Sequence, residues 1–238
     1  MKFMSFNTEH CLPYHGVPEG EPGRKMDYEL MANAIKTCGA DVVGLNEIRN
    51  EGPDPEYQKQ TEILAGLTGL ENHFFAEAIV FPGGPYGNGL LSKYPIVSAE
   101  VILVPDPETP KYDGYYETRC LLKAKLEGGI TVMVIHFGLN PDEHENAVRT
   151  IVENLEKEKC VLMGDFNVCP DNAVLEPIRE RMKDTADVFG QPLGSWPSDK
   201  PERKIDYLFV SPDVEIVTAD IPAIVASDHR PHTAELKF

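Results

Sequence analysis

Short apolar runs that end on polar or charged residues recur along the chain. The first, over residues 2–6, alternates and stops at Asn7. Asp41-Val42-Val43-Gly44-Leu45 stops at Asn46-Glu47. Val161-Leu162-Met163, preceded by the charged Glu156-Lys157-Glu158-Lys159, breaks at Gly164 into Asp165-Phe166-Asn167. Runs of this length and apolarity predict strands buried on both faces. Further strands are expected over 74–80, 89–92, 96–104, 205–210, 215–218 and 232–238, with a hairpin of 119–126 and 130–137 across Glu127-Gly128-Gly129. Helical spacing of apolar residues predicts helices over 26–38, 57–67 and 173–182. Asn140-Pro141-Asp142-Glu143 opens another helix: Asn caps, Pro takes the first turn and Glu143 completes a capping box. Residues 10–23, 81–88, 105–116 and 190–204 read as loops.

Strands separated by helices, together with strands joined by tight turns, imply mixed sheets covered by helices. No linker-like stretch divides the chain, so residues 1–238 are expected to form one domain. The hydrophobic fraction of 42% is enough for a substantial core. Five cysteines, an odd number without CxxC spacing, argue against a disulfide framework or a zinc site. With no apolar leader and no run long enough to span a membrane, the reading is a soluble, cytoplasmic chain, expected as a monomer. The net charge is −17, from 39 acids against 22 Lys and Arg. No basic stripe is present to release counterions, so tight non-specific nucleic-acid binding is not expected.

The polar strand ends carry the chemistry. They are Asn7 with Glu9, Glu47, His136, Asp165 with Asn167, Asp206, and Ser227-Asp228-His229. Each alone could be a turn residue or a surface acid. Converging on one rim, they would offer carboxylate and amide oxygens suited to a hard cation such as Mg²⁺ or Mn²⁺. Imidazoles beside such a cation suit hydrolysis of a phosphate ester.

The sequence resembles the endonuclease/exonuclease/phosphatase superfamily, with its DNase I-like fold. The resemblance rests on Ser5-Phe6-Asn7-Thr8-Glu9, Gly44-Leu45-Asn46-Glu47-Ile48, Gly87-Asn88-Gly89-Leu90-Leu91-Ser92, Glu117-Thr118-Arg119, Val134-Ile135-His136, Gly164-Asp165-Phe166-Asn167, Lys204-Ile205-Asp206-Tyr207 and Ser227-Asp228-His229. It departs from the usual pattern at Asn46, where relatives carry Gln. It implies an α/β fold, a four-layer α/β sandwich of two packed mixed β-sheets flanked by helices. It also implies a Mg²⁺-dependent phosphoesterase, foremost a phosphodiesterase. By resemblance Glu47 is the main metal ligand, with Asn7, Glu9 and Asp228 near the metal. Asp165 handles the attacking water, Asn167 holds that water or a phosphoryl oxygen, and His229, positioned by Asp206, stabilises charge at phosphorus. His136 is a second phosphate-contacting imidazole and candidate acid, and Arg119 and Asn88 would contact the phosphate. A DNA or RNA nuclease and a catalytically silent binding protein on the same fold are the alternatives. The substrate is not legible, because the residues that select it lie in the loops.

Other residues have plainer readings. Trp196 could line a cleft or anchor its loop on the core, and the tyrosines 112, 115 and 116 could stack on a base or sugar or be solvent-wetted loop aromatics. His10, His15 and His144 are expected at the surface. Lys93, Arg203, Lys204 and Arg230 are scattered bases that could add positive charge near a site.

Overall fold

Side chains alternate across a strand, so a strand that is apolar throughout needs a core on each side. The computed structural model, which describes residues 1–14 and 25–238, supplies those cores. His15 and most of the loop expected over 10–23 lie outside the described residues. One sheet comprises β1 (Lys2–Asn7), β2 (Val42–Arg49), β3 (Asn72–Phe81), β4 (Gly84–Ser92), β11 (Glu215–Asp220) and β12 (His232–Lys237), in the order β11-β12-β1-β2-β4-β3. The other comprises β5 (Ile96–Leu103), β6 (Cys120–Leu126), β7 (Thr131–His136), β8 (Cys160–Asp165), β9 (Lys183–Asp184) and β10 (Asp206–Val210), in the order β5-β6-β7-β8-β10-β9. Each sheet is mixed. β1 runs parallel to β2 and β7 parallel to β8, while the other named pairs are antiparallel.

The sheets pack face to face. Phe3, Val42, Leu122, Val134, Met163 and Leu208 fill the space between them. Their strand neighbours Met4, Val43 and Leu45 turn outward against α1 (Tyr28–Cys38) and α2 (Gln60–Thr68). On the opposite face Met133, Ile135, Leu162, Tyr207 and Phe209 meet α3 (Pro141–Asn154) and the single-turn α4 (Glu176–Arg179). Helix, sheet, sheet and helix make the expected four layers. Gly44 lets the sheets approach: a Cβ there would lie 2.6 Å from Met163 Sδ and 2.9 Å from Val134 Cγ2. Gly164 serves the same end within its sheet, where a Cβ would fall 1.8 Å from the Ile135 carbonyl oxygen.

The helix ends follow local chemistry. Asp27 accepts a hydrogen bond from the Leu30 amide at the start of α1, and Gly39 at φ +63° ends it. At α3, Pro141 occupies the first turn and the Asn140 amide donates to Glu143 Oε2 at 3.0 Å.

Two local expectations change. Residues 81–88 are not a loop: Phe81 pairs with Gly84, leaving only Pro82 and Gly83 between β3 and β4. Pro and Gly mark that tight turn, but the residues after it are held by ladders on both sides. The helix expected over 173–182 is a 3-10 turn, Ala173–Leu175, followed by α4. The two-residue β9 is too short to carry a period. Among the described residues no helix is long and apolar enough to cross a membrane.

Candidate active site

Parallel neighbours end at the same edge of a sheet, and here the two edges meet. Asn7 of β1 pairs with Asn46 of β2, and His136 of β7 with Asp165 of β8. Asp206, at the start of antiparallel β10, also stands opposite Asp165. The polar strand ends of both sheets therefore line one cleft of about 410 Å³, which includes Glu47, Arg119, His136, Asp165, Asn167, Asp228 and His229.

β2 is bulged between Leu45 and Ile48, and Glu47 lies at φ +56°. The bulge splits the tasks of Asn46 and Glu47. Asn46 turns into the molecule. Its amide donates to Asn88 Oδ1 at 2.8 Å and to the Ile135 carbonyl at 2.9 Å, and its Oδ1 accepts from the Asp165 amide at 2.9 Å. Glu47 turns into the cleft, where its Oε1 accepts from Asn7 Nδ2 at 3.0 Å.

Asp165 is the hub. Its Oδ2 accepts from Asn7 Nδ2 at 3.1 Å and lies 3.5 Å from His136 Nε2 and 3.6 Å from His229 Nε2. Its Oδ1 accepts from the Asn167 amide at 2.9 Å. Burial pushes this carboxyl up to about 7, helped by the charge of Asp206 and opposed by His229 and the hydrogen bonds. His229 Nδ1 is 2.8 Å from Asp206 Oδ2. Burial alone would lower its pKa, but Asp206, Asp165 and Asp228 outweigh that and hold it well above the usual imidazole range. Trp196 reaches over from the 190–204 segment, its Nε1 donating to Asp228 Oδ2 at 3.2 Å. Burial raises the Asp228 carboxyl, and the nearby charge of Glu47 raises it further.

The donor set fits a hard cation. Glu47 and Asp228 are about a quarter exposed, face the same cleft, and repel each other's negative charge. Asp165, Asp206 and His229 also cluster, with ligand atoms within 4.8 Å, but His229 Nδ1 and Asp206 Oδ2 are already spent on each other. Asn7 supports the acids through its NH₂, while its Oδ1 accepts from the Glu9 amide at 3.1 Å.

Several expected contacts fall elsewhere. Glu9 is not among the residues that line this cleft, and its backbone amide donates to Asn7 Oδ1 at 3.1 Å. Asn88 lies behind the wall, with its oxygen held by Asn46 and its nitrogen donating to the Cys120 carbonyl at 2.9 Å. Its place inside β4, between two ladders, turns it away from substrate. Arg119 lines the cleft but is buried against Glu117, Tyr86 and His136. His144 is buried, not exposed, and its Nε2 lies 2.9 Å from the Gly138 carbonyl.

His10, expected at the surface, is a cleft residue. Glu9, His10 and Cys11 all have positive φ, a strained turn that folds the chain back over β2. His10 Nδ1 lies 3.1 Å from the Glu47 carbonyl and Nε2 3.7 Å from Glu47 Oε2. Tyr86 and Glu117 were also missed. Glu117 stands in the Glu117-Thr118-Arg119 motif, two residues from Arg119, whereas Tyr86 lies in a stretch that reads as a loop. Tyr115 and Trp196 line the cleft mouth, whereas the Tyr116 hydroxyl is tied to Asp142 at 3.0 Å.

Comparison with known proteins identifies the family and the fold. The sequence model of the endonuclease/exonuclease/phosphatase family matches residues 4–229. The chain belongs to this family. Membership supports a hydrolase of the phosphoesterase and nuclease type. The chain is 25% identical over 228 residues to the uncharacterized protein YbhP of Escherichia coli K12, a match covering 87% of each. Among solved structures, an endonuclease/exonuclease/phosphatase of Beutenbergia cavernae is similar with TM-score 0.77 and 21% identity, over all of this chain and 71% of that one. A mannosyl-6-phosphatase of Bacteroides thetaiotaomicron is similar with TM-score 0.74 and 15% identity, over the whole of both chains. These likenesses establish the DNase I-like fold of this family member.

Proposed function

We propose that the protein is a divalent-metal-dependent phosphoesterase, acting foremost on a phosphodiester. The observation that carries this reading is the convergence of Glu47, Asp165, Asn167, Asp228 and the Asp206–His229 pair on one cleft.

In-line displacement at phosphorus needs a positioned water and a sink for charge on the equatorial oxygens. Asp165, with a carboxyl near 7, has the proton affinity to orient a water and take its proton. The His229 imidazolium, fixed by Asp206, turns Nε2–H toward the same space and meets developing negative charge. Asn167 Nδ2 stands beside His136 Nε2 at 3.2 Å and completes the polar wall. Glu47 and Asp228 would hold Mg²⁺ or Mn²⁺, which when bound supplies positive charge against the phosphoryl oxygens. A diester brings one negative charge into this acid-lined cleft, whereas a monoester dianion brings two. The surplus of carboxylates therefore favours the diester.

The test is hydrolysis of aryl phosphodiesters and monoesters with Mg²⁺ and with Mn²⁺. Turnover should be higher on the diester and should stop on chelation. Undiminished activity with chelator, or in Asp165→Asn and His229→Ala together, would sink the proposal.

A further inference from the structure

The contacts of His136 carry more than its proximity to substrate. Arg119 Nη1 lies 3.1 Å from His136 Nδ1, with both side chains buried. A guanidinium has donors and no acceptor, and it does not lose its proton in proteins. Where Nη1 donates to it, Nδ1 accepts, and the ring proton then sits on Nε2. We propose that Arg119 is a positioning residue that fixes His136 as the neutral Nε2–H tautomer, so that His136 acts as a hydrogen-bond donor and not as a general acid.

The brace behind Arg119 fits this role. Its Nη1 also reaches the Tyr86 hydroxyl at 3.2 Å and the carboxylate of Glu117. The Tyr86 ring packs 5.9 Å from the guanidinium. Glu117 offsets the buried positive charge, and Tyr86 fixes its direction. These contacts all fall on Nη1, so one arm of the guanidinium is engaged with the protein while Nε and Nη2 keep their donors.

In front of the ring, the locked tautomer has a consequence. Asn167 Nδ2 donates to the Phe137 carbonyl at 3.1 Å and lies 3.2 Å from His136 Nε2. With Nε2 protonated, the two nitrogens are both donors, and neither can accept from the other. They face the space where an anionic oxygen could take a hydrogen bond from each. The groups around the ring are Arg119, His229 and His10, whose charges would oppose a second proton, and Asp165, 3.5 Å from Nε2. Burial, then Arg119, holds the imidazole well below its usual pKa. That the oxygen belongs to a phosphate ester rests on the phosphoesterase reading; the tautomer does not.

The decisive measurement is a long-range ¹H–¹⁵N correlation spectrum of the full chain labelled at histidine, with and without Mg²⁺. His136 is assigned by comparison with His136→Gln. The Nε2–H form should be favoured by about tenfold or more, as expected for a buried hydrogen bond from a charged donor. It should persist unchanged from about pH 8 to about pH 5. An Nδ1–H tautomer, or an imidazolium near neutral pH, in the unmodified protein would overturn the proposal. Arg119→Met should release the ring into mixed tautomers that titrate, whereas Arg119→Lys should retain part of the bias. Tyr86→Phe, a smaller change, should weaken the bias in the same direction. An unchanged tautomer ratio in a folded Arg119→Met protein would also overturn it. The Nε2–H form in a chain that hydrolyses no phosphate ester would support the lock while removing the phosphoesterase reading.

Discussion

At Asp165 the carboxylate is almost fully buried, yet its oxygens face Asn7, Asn167, His136 and His229. Its high proton affinity comes first from burial, and the neighbouring groups act against that penalty as much as with it. Asp165→Asn keeps the shape and removes the base. Turnover should fall by about a hundredfold to a thousandfold, with binding of a substrate analogue retained. A different buried residue sets the response to acid. His232 is fully buried, with Nδ1 against the Asp206 carbonyl at 3.2 Å and Nε2 against Thr185 Oγ1 at 2.9 Å. It is satisfied as a neutral ring, and burial, reinforced by Lys204, lowers its pKa to about 4. The unfolded chain, near the ordinary value of about 6.5, binds this proton first as pH falls. Stability is thus present above about pH 6.5 and is lost as pH falls toward 4. Urea unfolding should give a drop of about 2 kcal/mol from this group between roughly pH 7 and pH 4.5. In His232→Gln the pH dependence should flatten by that amount.

Among the elements, β2 does two jobs at once. Its bulge sends Glu47 to the cleft and Asn46 across to the other sheet, where Asn46 ties Asp165 and Ile135 of the second sheet to Asn88 of the first. The active rim is therefore positioned by an amide that bridges the sheets. Asn46→Ala would strand a buried backbone amide, a carbonyl and the Asn88 oxygen. The cost should be about 2–4 kcal/mol in chemical denaturation, because unmade buried hydrogen bonds carry their full desolvation penalty. Asn46→Gln, which keeps the amide on a longer side chain, should recover part of that stability.

For the whole molecule, the net charge of −17 concentrates its chemical meaning at the cleft. Glu47 and Asp228 face each other there, so a bound dication should relieve repulsion and stabilise the fold. At a concentration about a hundred times the dissociation constant, Mg²⁺ should add about 2.7 kcal/mol. A thermal shift with Mg²⁺ that vanishes with chelator and in Glu47→Gln is the expected result; an equal shift in that variant would count against the assigned ligands. The same charge repels long polyanions. Duplex DNA should compete poorly with a small aryl diester at physiological salt, and strong inhibition by DNA would argue for a nuclease.

Most strands, the capped start of α3, and the acids and histidines at the strand ends were legible in the order of the residues. Burial on both faces, strand alternation and capping are local rules, and each leaves its period or its spacing in the chain. Glu47, His136, Asp165, Asp206 and His229 stood out because each interrupts or ends an apolar run. What depended on distant partners was not legible. Arg119 reads as a phosphate ligand, but the contacts of its Nη1 with Glu117, Tyr86 and His136 have no signal in the chain. Asn88 looked available until the β4 ladders turned it toward Asn46. His10 looked like a surface residue until a turn laid it on Glu47. The sequence by itself determined which groups stand at the ends of strands. Only the tertiary structure decided which of them remain open to a ligand, because that depends on hydrogen-bond partners arriving from the other sheet, far away in the chain.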